Sequence, residues 1–126
     1  MATIVHIDHL ILHVSSHAES LRFYQQVLGF VHGGRVGPFE ILRVNDGFTI
    51  DLSQHAPKEP VHLAFSMARA DFDAVYRRLR GLGLPHGATP FDRNGGPPAQ
   101  SVGARGMADA WYFDDPDGHN LEVRCY

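Results

Sequence analysis

The chain has a single cysteine, Cys125, in 126 residues. No disulfide can close within it, which fits a reducing cytoplasm. Charge of one sign is equally scarce. Eleven Lys and Arg against 14 Asp and Glu leave a formal net charge of -3, so there is no basic field to attract nucleic acid or an anionic membrane. Arg77, Arg78 and Arg80 form a cationic cluster at helical spacing and read as a solvated helix face. No run approaches the roughly 20 apolar residues that span a bilayer. Met1–His6 offers no cationic segment leading into a long apolar stretch, so no secretory leader is expected. The remaining composition, 44% hydrophobic and 20% charged, is that of an ordinary soluble globular protein. One domain over residues 1–126 would bury about two-thirds of the surface its unfolded chain exposes, without help from a disulfide or a structural metal. Against these absences the nine histidines stand out, and they point to metal or proton chemistry.

Ile7–Val14 alternates as a strand, with Leu10, Leu12 and Val14 on one face and His9, Ile11 and His13 on the other. Ser16 with Glu19 three residues later makes a capping box. The helix it opens carries Leu21, Tyr24, Val27 and Leu28 on one side and stops at Gly29. Phe30-Val31 resumes extended structure, and His32-Gly33-Gly34 is expected to break it. Phe39–Val44 and Gly47–Leu52 read as a hairpin turned at Asn45-Asp46-Gly47. In its second strand Thr49, Asp51 and Ser53 oppose Phe48, Ile50 and Leu52. Gln54–Pro60 reads as a linker.

The same order then recurs. Pro60–Met67 is a strand with His62, Ala64 and Ser66 opposite Leu63, Phe65 and Met67. A helix from about Ala70 buries Phe72, Val75 and Leu79 and leaves through Leu82-Gly83-Leu84, as the first helix leaves through Leu28-Gly29-Phe30. Trp111–Phe113, a turn at Asp115-Pro116-Asp117-Gly118, and Asn120–Cys125 form the last hairpin. Its Leu121, Val123 and Cys125 enter a core, and its Glu122 points to a wet or functional face. Matching Gly47 with Gly118 pairs Asp51 with Glu122, and matching the first strands pairs His9 with His62. The expectation is an α+β fold of two β-α-β-β-β modules, about 4–54 and 60–126, related by a pseudo-twofold axis. Residues 87–106, rich in glycine and proline, interrupt the second module and read equally as a lid or as a plain disordered loop.

Positions related by such an axis approach one another when they lie near it, so His9, His62, Asp51 and Glu122 could converge. Two imidazoles with one or two carboxylates suit a divalent first-row metal and leave positions open for water or substrate oxygen. His13, His17, His32, His55, His86 and His119 read instead as surface or core residues bonded to backbone. Arg43, Arg105 and Arg124 are candidate anchors for an anionic substrate, each set against the simpler reading of a surface arginine.

Asp8-His9-Leu10, Phe23-Tyr24 through Leu28-Gly29-Phe30, His62–Phe65, and Tyr112-Phe113 with Asp115–Glu122 resemble the vicinal oxygen chelate superfamily. That superfamily includes glyoxalase I, extradiol dioxygenases, fosfomycin-resistance enzymes and bleomycin-resistance proteins. The resemblance implies paired modules whose curved mixed sheets enclose a funnel with the helices outside, commonly in a homodimer. It puts His9, His62 and Glu122 on the metal-ligand positions, for Zn, Ni, Mn, Co or Fe, and Asp51 where glyoxalase I has a fourth carboxylate that serves as base. Asp51 is one methylene shorter than that glutamate. His13, expected to line the substrate site, stands where bacterial glyoxalases carry a glutathione-binding arginine. Ile11 replaces a threonine found near the phosphonate in some fosfomycin-resistance enzymes.

The leading expectation is a glyoxalase-like lyase or isomerase whose small substrate chelates the metal through adjacent oxygens, with Glu122 or Asp51 moving the proton. One alternative is an extradiol-type Fe(II) dioxygenase of catechols. The other is a non-catalytic resistance protein holding a drug between Trp111, Tyr112 and loop residues.

Overall fold

The computed structural model describes residues 3–126, which divide into two units, 3–58 and 59–126. Unit 1 runs β1 (His9–Val14), α1 (His17–Leu28), β2 (Val31–Val36), β3 (Phe39–Asn45) and β4 (Phe48–Gln54), and its sheet order is β1-β4-β3-β2. The β1–β4 pair is parallel and the others antiparallel. Unit 2 runs β5 (His62–Ser66), α2 (Arg69–Gly81), β6 (His86–Gly87), β7 (Ala99–Gly103), β8 (Gly106–Asp114) and β9 (Asn120–Cys125). Its order repeats the first: β5 lies parallel to β9, β9 antiparallel to β8, and β7 and β6 both pair with β8. The α+β class expected from the sequence is the class observed.

Local chemistry sets the helices. Ser16 Oγ accepts from the Glu19 N–H at 3.2 Å, and Gly29 closes α1 in the left-handed region at φ 74°. Gly83, at φ 69°, turns the chain away after α2 in the same manner. Tyr24, Val27 and Leu28 of α1 are buried, as are Leu12, Val14, Leu42, Ile50 and Leu52 of the sheet in the same unit. In unit 2, Phe72, Val75 and Leu79 of α2 are buried together with Trp111, Phe113, Leu121 and Val123. Each such side chain removed from water contributes about 1.5–3 kcal/mol. The opposite sheet face in each unit is therefore left for other work.

Two expectations are corrected. The His32-Gly33-Gly34 run does not end the strand: β2 passes through it, and the register slips between His32 and Arg35. Gly34 at φ 92° takes up the bulge, and a Cβ on Gly33 would sit 3.2 Å from the Ile41 methyl. Nor is 87–106 one long loop. Residues 99–103 form β7 against β8, and residues 88–98 are tied down by Arg93 on Asp114 at 2.8 Å and by the Asn120 amide on the Pro90 carbonyl at 2.9 Å. Ala99-Gln100-Ser101-Val102 has no apolar alternation to announce a strand; its partner supplies the reason for it. Among the described residues no helix is long and apolar enough to cross a membrane.

Candidate metal centre

In unit 2 the face away from α2 is built by register. Parallel pairing sets His62 beside Asn120 and Ala64 beside Glu122, and antiparallel pairing sets Tyr112 opposite Glu122. His62 Nδ1 lies 3.0 Å from the Asn120 carbonyl oxygen, and His62 Nε2 lies 3.1 Å from Glu122 Oε1. A carbonyl only accepts, so Nδ1 carries the proton and Nε2 of the neutral ring presents its lone pair. That lone pair faces a carboxylate oxygen. The contact is favourable only when a cation, either a second proton or a metal ion, lies between them.

Glu122 lies on the face expected for it but is buried there: its side chain is 8% exposed. Removing a carboxylate from water is costly unless it is paired and hydrogen-bonded. Here Arg124 donates from Nη1 to Glu122 Oε2 at 2.6 Å. Arg124 is itself buried, 4% exposed in its side chain, and also donates to the Ser101 carbonyl at 2.8 Å, the Gly106 carbonyl at 3.1 Å and the Tyr126 hydroxyl at 3.1 Å. A Cβ on Gly103 would run into this guanidinium. Arg124 is therefore committed to the protein, not offered as a surface anchor for substrate.

The turn before β9 aligns this arrangement. Asp115 Oδ1 accepts from the Asp117 and His119 N–H groups, and the fully buried His119 accepts the Val61 N–H on Nδ1 at 2.9 Å. Asn120 N–H donates to the Val61 carbonyl. The residue next to His62 is thus clamped from both sides. His119, His17 on the Leu52 carbonyl, and His86 on the Leu84 carbonyl fit the reading of histidines bonded to backbone.

Trp111 is wholly inside, against Phe72, Tyr76 and Phe113, so it does not line a substrate site. Its neighbour Tyr112 takes the functional face. Its ring stacks with His62 at 6.3 Å between centroids, and its hydroxyl meets Ser101 Oγ at 2.8 Å. Burial pushes the Tyr112 phenol above its ordinary value, more than the Ser101 hydrogen bond draws it down. Sequence alternation alone could not choose between these adjacent aromatics, because the whole Trp111–Phe113 run is apolar.

In unit 1 the face away from α1 carries His9, Ile11 and His13 of β1, Thr49, Asp51 and Ser53 of β4, and Ile41 and Arg43 of β3. His9 Nδ1 donates to Asp8 Oδ2 at 2.7 Å, which leaves Nε2 for another partner. The Asp8 hydrogen bond, followed by the nearby Asp51 charge, raises the His9 pKa. Thr49 Oγ1 donates to Asp51 Oδ1 at 2.8 Å. His13 is exposed, 5.3 Å between centroids from His55, and Arg43 is exposed. Among the described residues, no three His, Cys, Asp or Glu side chains gather closely enough to hold a metal ion.

The donors nonetheless fit a divalent ion. Metal-bound histidine characteristically gives its second N–H to a carboxylate or a carbonyl, and Asp8 and Asn120 play those parts for His9 and His62. Asp8 and Asn120 escaped the sequence reading, although Asp8-His9 adjacency was the available signal for the first.

The model of the Glyoxalase/Bleomycin resistance protein/Dioxygenase superfamily matches residues 6–123. The glutathione transferase FosA of Serratia marcescens is 30% identical over a 124-residue alignment covering 93% of this chain and 78% of that protein. The metallothiol transferase FosB of Lysinibacillus sphaericus is 26% identical, with 95% and 82% covered. Among solved structures, the oxidase ChaP-H1 superposes with a TM-score of 0.81 at 30% identity, over 98% of this chain and 97% of that one. The chain belongs to the glyoxalase/bleomycin resistance protein/dioxygenase superfamily.

Proposed function

We propose that this protein is a metal-dependent enzyme in which His9, His62 and Glu122 hold a divalent ion, with the assembly a homodimer. The observation that carries the reading is that each imidazole has its Nδ1 engaged by an acceptor, Asp8 for His9 and the Asn120 carbonyl for His62, while His62 Nε2 lies 3.1 Å from Glu122 Oε1. Bound there, a divalent ion would act as a Lewis acid on adjacent oxygens of a small substrate and stabilise enolate-like charge. Asp51, oriented by the Thr49 hydroxyl, takes and returns the substrate proton. Arg124 occupies Oε2 of Glu122 and leaves Oε1 as the atom beside His62. The reaction is of lyase, isomerase or addition type. The names of the two transferases weigh toward addition of a thiol, and the short Asp51 and the His13 position weigh against glyoxalase I itself.

Elemental analysis of protein purified without added metal tests this. About one divalent ion per chain is expected, with loss of most of it in His62→Ala. A second reading, Fe(II) oxygenase chemistry, has support from the donor set and from the likeness to a protein named an oxidase. Oxygen uptake with Fe(II) and catechols would favour it. Absence of metal together with ligand binding that survives His9→Ala would leave only a drug-binding protein.

A further inference from the structure

The pocket beside Glu122 contains a guanidinium, that of Arg105, which no carboxylate among the described residues pairs. It is a cleft of about 440 Å³ on unit 2, lined by His62, Ser66, Arg105, Glu122, Arg124 and Tyr126 among others. Glu122 and Arg124 cancel as a buried pair. Arg105 has no carboxylate partner among the described residues. Its Nη2 reaches Ser66 Oγ at 3.2 Å, and its guanidinium lies over the Tyr126 ring at 4.6 Å from the centroid. The backbone holds it in place. Arg105 N–H donates to the Tyr126 hydroxyl at 3.2 Å, and the hairpin that carries Arg105 is tied at Ser101 and Gly106 by Arg124. The Tyr126 oxygen accepts from both Arg105 N–H and Arg124 Nε, so its own hydrogen is free to point toward a third acceptor.

A guanidinium stacked on an aromatic ring, hydrogen-bonded only to a hydroxyl and flanked by a second one, retains several unused N–H groups. The matching ligand is an oxyanion. We propose that Arg105, with the hydroxyls of Ser66 and Tyr126, forms a subsite for a carboxylate or phosphonate group of the substrate. This rests on the metal reading above in one respect: the same molecule would offer its chelating oxygens to the ion at His62 and Glu122. The substrate class is then a small organic acid whose anionic group lies apart from its chelating oxygen pair.

The test compares hydroxamates on metal-loaded protein by calorimetry. Acetohydroxamate chelates without an added charge, succinic monohydroxamate adds a carboxylate, and a hydroxamate with a propylphosphonate arm adds a phosphonate. At least one charged probe is expected to bind ten- to a hundredfold tighter than acetohydroxamate, as charge-assisted hydrogen bonds allow. Which of the two does so identifies the group. Arg105→Ala should erase the difference while leaving acetohydroxamate and metal affinity unchanged, and Arg105→Lys should keep part of it. Equal binding of all three probes, or a preference that survives Arg105→Ala, overturns the subsite. A separate arm uses metal-free protein and inorganic phosphate. Saturable shifts of the Ser66 and Gly103–Gly106 amide resonances that vanish in Arg105→Ala support the subsite even if no metal is found. Their absence overturns it even if metal is bound.

Discussion

Replacing Arg124 with Met would leave the Glu122 carboxylate buried with its strongest partner gone. In the native chain both side chains are under a tenth exposed, 4% and 8%, and their contact is 2.6 Å. Breaking a buried pair from one side costs about 3–5 kcal/mol, because the surviving charge must remain desolvated, draw water in or take up a proton. The Ser101 and Gly106 carbonyls lose a donor at the same time, so the upper half of that range is expected. For a chain of this length the loss corresponds to a fall in Tm of about 10–20 °C. Arg124→Met with Glu122→Met removes both charges and should recover most of the loss, since an apolar pair of similar volume is often neutral or better. Urea denaturation of the wild type, both single variants and the double variant gives the coupling directly, expected at about 2–4 kcal/mol. A coupling under about 0.5 kcal/mol would show that water screens this pair, and the account of Glu122 as a buried, protein-held carboxylate would be wrong.

Trp111→Ala should cost about 3–5 kcal/mol as a core truncation, whereas Tyr112→Phe, which loses the Ser101 hydrogen bond, should cost about 0.5–1.5 kcal/mol; urea midpoints compare them. Gly103→Ala should destabilise by about 1–3 kcal/mol by thrusting a methyl into the Arg124 guanidinium, and should be less harmful in an Arg124→Met background. Tyr126 should titrate below 10 because the Arg105 N–H and then the Arg124 guanidinium favour its phenolate, while Tyr112 titrates above 10. An alkaline absorbance titration should therefore lose a step below 10 in Tyr126→Phe. The sign for stability follows: a depressed pKa stabilises the fold above the unfolded value near 10, and this contribution fades as pH falls through the lower folded value.

Much of the local architecture was legible because it depends on neighbours in sequence. Ser16 and Glu19 start a helix by satisfying N–H groups one turn apart, and Gly29 ends it by accepting a positive φ. Alternation placed His9, His62, Asp51 and Glu122 opposite the apolar faces of their strands, where the structure also has them. The strand β7 was not legible, since Ala99–Gly103 has little preference of its own and is extended only because β8 offers it hydrogen bonds. The continuation of β2 through Gly33 and Gly34 was hidden for a related reason: a bulge is permitted by glycine but required by the partner strand.

The amino-acid order alone determined which residues share a face, because side-chain direction is a property of the strand itself. It could set Glu122 and Arg124 two apart on one side, but not say whether water or protein would lie above them. Only the tertiary structure decided that, by laying the β7–β8 hairpin across the guanidinium and so removing the solvent that would otherwise have screened the pair. Burial is a long-range property, and the chemistry of a carboxylate depends on it.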